Sequence, residues 1–151
     1  MALKAWNQQI SRAEKFFEAQ TDDDLQKEVA PGKNRISYLM GHLTSSNDTM
    51  MILFGFGPKL YPAFEEIFSK NPDRAVPQPP AAEIRKAWKE THAALAKHFE
   101  KLSVDEWLGK HTAMTAEDLV KEPTRNKLSV LLSRTNHVSY HMGQLVLTKT
   151  A

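Results

Sequence analysis

Residues 126–148 of this chain read NKLSVLLSRTNHVSYHMGQLVLT, and this stretch decides the fold class because its apolar side chains recur every three or four residues. That spacing places them on one face of an α-helix, with polar residues on the other face. The apolar face comprises Leu128, Leu131, Leu132, Thr135, Val138, Met142, Leu145 and Val146. The stretch therefore predicts a long amphipathic helix.

The same spacing predicts three more long helices, over residues 3–19, from about residues 34–37 to 54, and over residues 81–102. Pro31 and Gly32 exclude a helix before the second of these, and residues 55–58 end it. Six prolines between residues 58 and 80 exclude a long helix there and leave room for a turn or two over residues 63–68. We therefore predict an all-α fold, a four-helix bundle with a long crossover connection.

Two shorter helical turns are predicted from their first residues. Ser103 and Glu106 have the spacing of a capping box, in which each side chain accepts a hydrogen bond from the other residue's backbone N–H. Thr115 and Asp118 repeat the arrangement with a shorter acidic side chain. Each pair predicts a short helix that begins at the residue after the hydroxyl.

Composition favours one globular domain over residues 1–151, with 41% hydrophobic and 25% charged residues. The absence of cysteine excludes disulfides and thiolate metal ligands. The net charge is +2 and the basic residues are dispersed, which argues against a nucleic-acid partner. Residues 1–8, MALKAWNQ, lack the apolar run of a signal peptide, and no segment has the length of a membrane span. We expect a cytoplasmic protein without a membrane partner.

The histidines are the candidate functional residues. His137 and His141 have the four-residue spacing that brings two imidazoles on one helix face within reach of a common metal ion. Val138 follows the first of them, so the chain lacks the glutamate of the HExxH metalloprotease motif. His92, His98 and His111 have no partner at ligand spacing and receive no function. The alternative for the pair is two core histidines with ordinary hydrogen-bond partners.

His42 is the third candidate ligand, since it lies beside the apolar residues Leu39, Met40 and Leu43 of the second helix. A histidine in that position also fits a core residue that donates to a hydroxyl or a carboxylate. Three neutral imidazoles would leave coordination positions open to water or substrate, as in catalytic metal sites. A general base is not evident from the sequence: Ser46, Thr49 and Asn136 are candidates for contacts with substrate, and backbone or solvent hydrogen bonds explain them equally.

Two motifs make the sequence similar to a known family. The stretch NHVSYHMGQL at residues 136–145 resembles the last-helix signature of DinB/YfiT-like proteins, in which two histidines four residues apart precede Gly-Gln. The stretch LMGHL at residues 39–43 resembles their second-helix motif, which carries the first metal-binding histidine. One departure is Tyr140, where many members have a further histidine that is not a ligand.

The resemblance implies a metal-binding four-helix bundle with a crossover topology, often dimeric, with His42, His137 and His141 as the ligands. It also implies an enzyme, either a thiol S-transferase that uses a low-molecular-weight thiol or a metal-dependent hydrolase. We expect a divalent metal ion, zinc or nickel, a small-molecule substrate and a homodimer. Gly143 is expected to let a neighbouring helix approach closely, and Gln144 to bond a ligand or line a polar pocket.

The alternative function is a non-catalytic helical module that associates with itself or with another protein. Met50, Met51, Phe54 and Phe56 would suit a dimer interface, although packing in the core explains them at least as well. Metal content distinguishes the two hypotheses, because the interaction module needs no ion.

Overall fold

The structure is a computed structural model that describes residues 1–150, including the side chains of residues 1–148. Four long helices dominate it: α1 (Ala2–Glu18), α3 (Ile36–Leu53), α5 (Ala81–Phe99) and α8 (Lys127–Val146). The short elements are α2 (Asp22–Leu25), α4 (Ala63–Glu65), a π-helical turn (Glu66–Lys70), α6 (Val104–Leu108), α7 (Ala116–Lys121) and a final 3-10 turn (Leu147–Thr150). Residues 1–150 contain no strand beyond an isolated bridge between Glu28 and Arg35, so the all-α prediction is confirmed.

Polar side chains cap the first turns of α6, α7 and α8. Both predicted capping boxes are present, at Ser103 before α6 and at Thr115 before α7. Asn126 caps α8, because its side-chain oxygen accepts a hydrogen bond from the Ser129 backbone at 3.0 Å. These caps satisfy N–H groups that the first turn of a helix leaves without partners.

The long helices pack in three pairs, α1 against α8, α3 against α5, and α3 against α8. Aromatic side chains also join α1 to α5: Phe17 meets Trp88 edge to face, with ring centroids 5.1 Å apart, and Trp6 meets Phe99. Leu132 was expected on the buried face of α8 but is 44% exposed. It lies at the margin of that face, where the helical periodicity assigns a side only approximately.

Two buried carboxylates hold the connection between α3 and α5 in place. Asp48 of α3 accepts hydrogen bonds from the backbone N–H groups of Leu60 and Tyr61, at 3.0 and 2.8 Å. Asp73 pairs with Arg35, and the Nη2–Oδ1 distance is 2.6 Å. The connection is thereby held along α3.

Gly41 lets this connection approach α3 closely. A Cβ atom built on Gly41 would lie 2.5 Å from the ring of Phe68, a fully buried side chain of the π-helical turn. Gly143, by contrast, has nothing within 4 Å of such a Cβ, so the prediction that it accommodates a neighbouring helix is wrong for the described chain. The glycine that permits a close approach is therefore Gly41, the neighbour of His42.

The methionines and phenylalanines near the end of α3 lie mainly in the core. Met50, Met51 and Phe54 are each at most 5% exposed. Their burial favours core packing over the dimer interface considered for them. No helix within residues 1–150 is both long enough and apolar enough to span a bilayer.

Candidate metal centre

His42 of α3 meets His137 and His141 of α8 where the two helices pack. Nε2 of His137 lies 3.1 Å from Nε2 of His42 and 3.0 Å from Nε2 of His141. One ring nitrogen from each residue lies within 4.8 Å of the other two, and all three side chains are half-buried. The structure thus brings together the three histidines that the sequence singled out.

The tautomers of two rings are fixed by acceptors outside the cluster. His42 Nδ1–H donates to the Phe68 carbonyl oxygen at 2.8 Å, and His141 Nδ1–H donates to Oε1 of Gln144 at 2.7 Å. A neutral imidazole carries one proton, so both Nε2 atoms have a free lone pair. These lone pairs belong to the nitrogens that converge on His137.

His137 has no such acceptor. Its Nδ1 is buried and has no hydrogen-bond partner among the described residues. Burial is the main reason that the pKa of His137 is lowered to about 4, and the neighbouring His141, His42 and Arg134 contribute to the same shift. Burial likewise lowers the pKa of His141, against the hydrogen bond to Gln144. Both rings are therefore neutral at pH 7, the form in which histidine binds metal ions.

This arrangement is compatible with a divalent metal ion. At metal–nitrogen distances of about 2.0–2.1 Å, nitrogen ligands lie about 3.3 Å apart in tetrahedral geometry and about 3.0 Å apart in octahedral geometry. The two measured separations, 3.0 and 3.1 Å, are compatible with this range. The lone pairs on Nε2 of His42 and His141 are fixed in place, and Nε2 of His137 is the third possible ligand. A cation could bind all three nitrogens.

Gln144 was expected to donate to a ligand or cap a polar pocket; its side-chain oxygen accepts a hydrogen bond from His141, and the residue also lines a cavity beside the cluster. The role of the Phe68 carbonyl as the acceptor for His42 was not predicted, because every residue has a backbone carbonyl and the sequence does not show which one is nearby. The signal that could have indicated it is Gly41, directly before His42 and under the ring of Phe68.

The other residues proposed near the site have ordinary surroundings. Thr49 donates to the Ser45 carbonyl at 3.1 Å, and Asn136 is exposed on α8. Ser46 is half-buried one turn after His42. Tyr140 is 65% exposed, and its ring centroid lies 5.1 Å from that of His141. Tyr140 therefore borders the centre on its solvent side.

The three remaining histidines lie outside the cluster, as expected. His92 is 8% exposed and its Nδ1–H donates to the Trp88 carbonyl at 2.7 Å. His98 stacks on Phe56 with ring centroids 4.3 Å apart. His111 is 7% exposed.

Two cavities flank the histidine cluster along α8. One, of about 380 Å³, includes Gln144 and Leu39 in its lining. The other, of about 230 Å³, includes Ser133 and Arg134, which precede His137 by about one turn. A larger cavity of about 730 Å³ is lined by Phe17 and Trp88, and none of the three histidines lines any of these cavities. Each of the two smaller cavities is lined by a residue of α8 three positions from a histidine of the cluster.

Comparison with protein families agrees with the sequence motifs. The model of the DinB superfamily matches residues 5–145, which include all three histidines. The chain belongs to the DinB superfamily. No curated protein matches this DinB-superfamily chain.

Proposed function

We propose that this DinB-superfamily protein binds one divalent metal ion through Nε2 of His42, His137 and His141, and that it is a metal-dependent enzyme. The proposed reaction is thiol S-transfer or hydrolysis of a small molecule. The observation that carries this proposal is the convergence of three ring nitrogens from two helices, two of them with tautomers fixed for metal binding.

Three protein ligands suit catalysis better than a purely structural role. A closed structural site normally has four protein ligands, whereas three leave a position for water or substrate. A divalent ion at this site would supply Lewis acidity that lowers the pKa of a bound thiol or water. Phe68 and Gln144 would hold the rings of His42 and His141 in the required orientation.

Zinc and nickel are the metals we propose, and a low-molecular-weight thiol is the proposed co-substrate of the transferase reaction. Imidazole nitrogens suit both ions. The protein contains no cysteine, so the chain itself cannot supply the thiol.

Metal content is the first test. Elemental mass spectrometry of tag-free protein is expected to find about one divalent ion per chain, lost in His137→Ala and in His42→Ala. The control is His98→Ala, which removes a histidine that stacks on Phe56 outside the cluster. Metal-free protein that also fails to take up added zinc, nickel or cobalt would overturn the proposal and leave an interaction module.

Cobalt(II) replacement then separates the two reactions. The cobalt-loaded protein is expected to show visible d–d absorption that is lost in His137→Ala. Addition of 2-mercaptoethanol would produce a sulfur-to-cobalt charge-transfer band if thiols bind at the ion. Such a band supports the transferase, and its absence at saturating thiol favours the hydrolase.

We also propose a homodimer in which α8 takes part. Supporting it are two large apolar side chains on the outer face of α8, Leu132 and Tyr140, 44% and 65% exposed. Sedimentation velocity tests the proposal: a dimer that becomes a monomer in Leu132→Glu supports it, and a wild-type monomer contradicts it.

A further inference from the structure

Arg134 is a half-buried arginine that lacks an internal partner. Its Nε is buried without a hydrogen-bond acceptor, and no ion pair joins its guanidinium to another described residue. Burial lowers the pKa of Arg134, yet a guanidinium remains charged at neutral pH. A desolvated charge is costly unless an anion compensates for it. An arginine in this state has donors free for an anion from outside the chain.

The cavity beside Arg134 is suited to such an anion. It has a volume of about 230 Å³, and its lining contains Arg125 and His111 but neither aspartate nor glutamate. Nδ1 of His111 is also buried and has no hydrogen-bond partner within the described part of the chain. The aliphatic Leu53 and Val130 line the same cavity and would contact an apolar part of a ligand.

Other charges near the cavity make Arg134 the principal group. Arg125 lies close enough to Asp118 to contribute to the lowered pKa of that carboxyl, which results mainly from hydrogen bonds with Thr115. The charge of Arg125 is therefore partly balanced. Burial lowers the pKa of His111, and Arg125 and Lys110 lower it further. His111 is consequently a neutral donor, while Arg134 supplies the uncompensated charge.

Arg134 lies next to the histidine cluster. It precedes His137 by three residues on α8, which corresponds to a rise of about 4.5 Å along the helix axis. Arg134 and His137 are thus less than one helical turn apart on α8, and Ser133 and Arg134 are the residues of the cavity lining that come nearest to the histidine pair in the sequence.

We propose that Arg134 binds an oxyanion, a carboxylate or a phosphate group, of the molecule that reacts at the histidine centre. This inference rests on the proposed function and adds the substrate class, a small anionic compound. A guanidinium binds both oxyanions through two parallel N–H donors. Leu53 and Val130 favour an apolar portion beside the anionic group.

The test uses protein stripped of metal, so that the anion cannot bind to an ion. Titration with acetate and with inorganic phosphate is followed through the ¹⁵N-labelled arginine Nε–H resonances. The Arg134 resonance, identified by its loss in Arg134→Gln, is expected to shift saturably. Binding followed through neighbouring backbone amides should weaken by about tenfold or more in Arg134→Gln. The matched control Arg12→Gln removes an exposed arginine of α1 and should leave the affinity unchanged.

The results separate this inference from the proposed function. Saturable binding of either anion that depends on Arg134 supports the inference, and the tighter anion identifies the substrate group. No saturable shift, or equal binding by Arg134→Gln, overturns it. Metal content of Arg134→Gln is measured in parallel and should equal that of the wild type. Failure of the wild type to bind metal contradicts the proposed function while the anion result stands.

Discussion

The carbonyl oxygen of Phe68 lies 2.8 Å from Nδ1 of His42 and thereby fixes the tautomer of the first histidine of the cluster. Phe68 belongs to the π-helical turn Glu66–Lys70, and its ring packs against Gly41, the residue directly before His42. The packing of the Phe68 ring on Gly41 sets the distance between the turn and α3. At that distance the Phe68 carbonyl can accept the hydrogen bond that orients the His42 imidazole. Core packing and the geometry of the candidate metal centre are thus coupled through Phe68.

Gly41→Ala should therefore destabilise the protein. The added methyl group would overlap the buried Phe68 ring, and overpacking of this kind costs about 1–3 kcal/mol. Urea unfolding measures the change. The matched control is Gly143→Ala, which places a methyl group in open space on α8 and should stabilise the protein by about 0.5–1 kcal/mol. Equal effects of the two substitutions would contradict the contact described for Gly41.

Gln144→Ala should weaken metal binding without removing a ligand. The substitution takes away the acceptor of His141 Nδ1–H, and loss of such a partner typically lowers metal affinity by about 10–100-fold. Competition with a chromophoric chelator measures the affinity. Gln144→Glu keeps an acceptor oxygen at the same position and should retain tight binding. If Gln144→Ala binds as tightly as the wild type, the hydrogen bond does not support the centre.

The long helices could be predicted from the sequence because their apolar residues repeat with the helical period over many turns. The same reasoning placed His137 and His141 on one face of α8 and made His42 a third candidate, and the family resemblance then implied that all three are metal ligands. The prediction that failed is the close approach of a helix at Gly143, because a single neighbouring side chain decides whether a glycine is closely packed. Each of the two histidine motifs contains a glycine, Gly41 or Gly143. Only Gly41 contacts an aromatic ring from a distant segment, that of Phe68.

The partners of the histidines were harder to anticipate. The acceptor for His42 is a backbone carbonyl 26 residues away, in a proline-rich connection whose path depends on the whole fold. The sequence shows Arg134 only as a charged residue between apolar positions of α8. Its missing partner becomes evident only when its burial and its neighbours are known.

Arg134→Met should leave the stability of the metal-free protein unchanged or raise it. Methionine keeps most of the alkyl chain and removes a half-buried charge that has no partner among the described residues. Thermal unfolding at pH 7 measures the effect. Arg35→Met provides the contrast, since it leaves Asp73 buried without its ion-pair partner and should cost about 3 kcal/mol or more. A large loss of stability in Arg134→Met would assign that arginine a structural role.

The free energy of unfolding should fall as the pH is lowered from about 6.5 to about 4, and His92 is one cause. Burial lowers the pKa of His92 to about 4, whereas an unfolded chain has a histidine pKa of about 6.5. Between these values the unfolded state binds the additional proton, so the stability present above pH 6.5 is lost on acidification. Urea titrations at several pH values should give a shallower slope for His92→Gln than for the wild type, even if the variant is less stable throughout. An identical slope would mean that His92 is protonated as readily in the folded protein as in the unfolded chain.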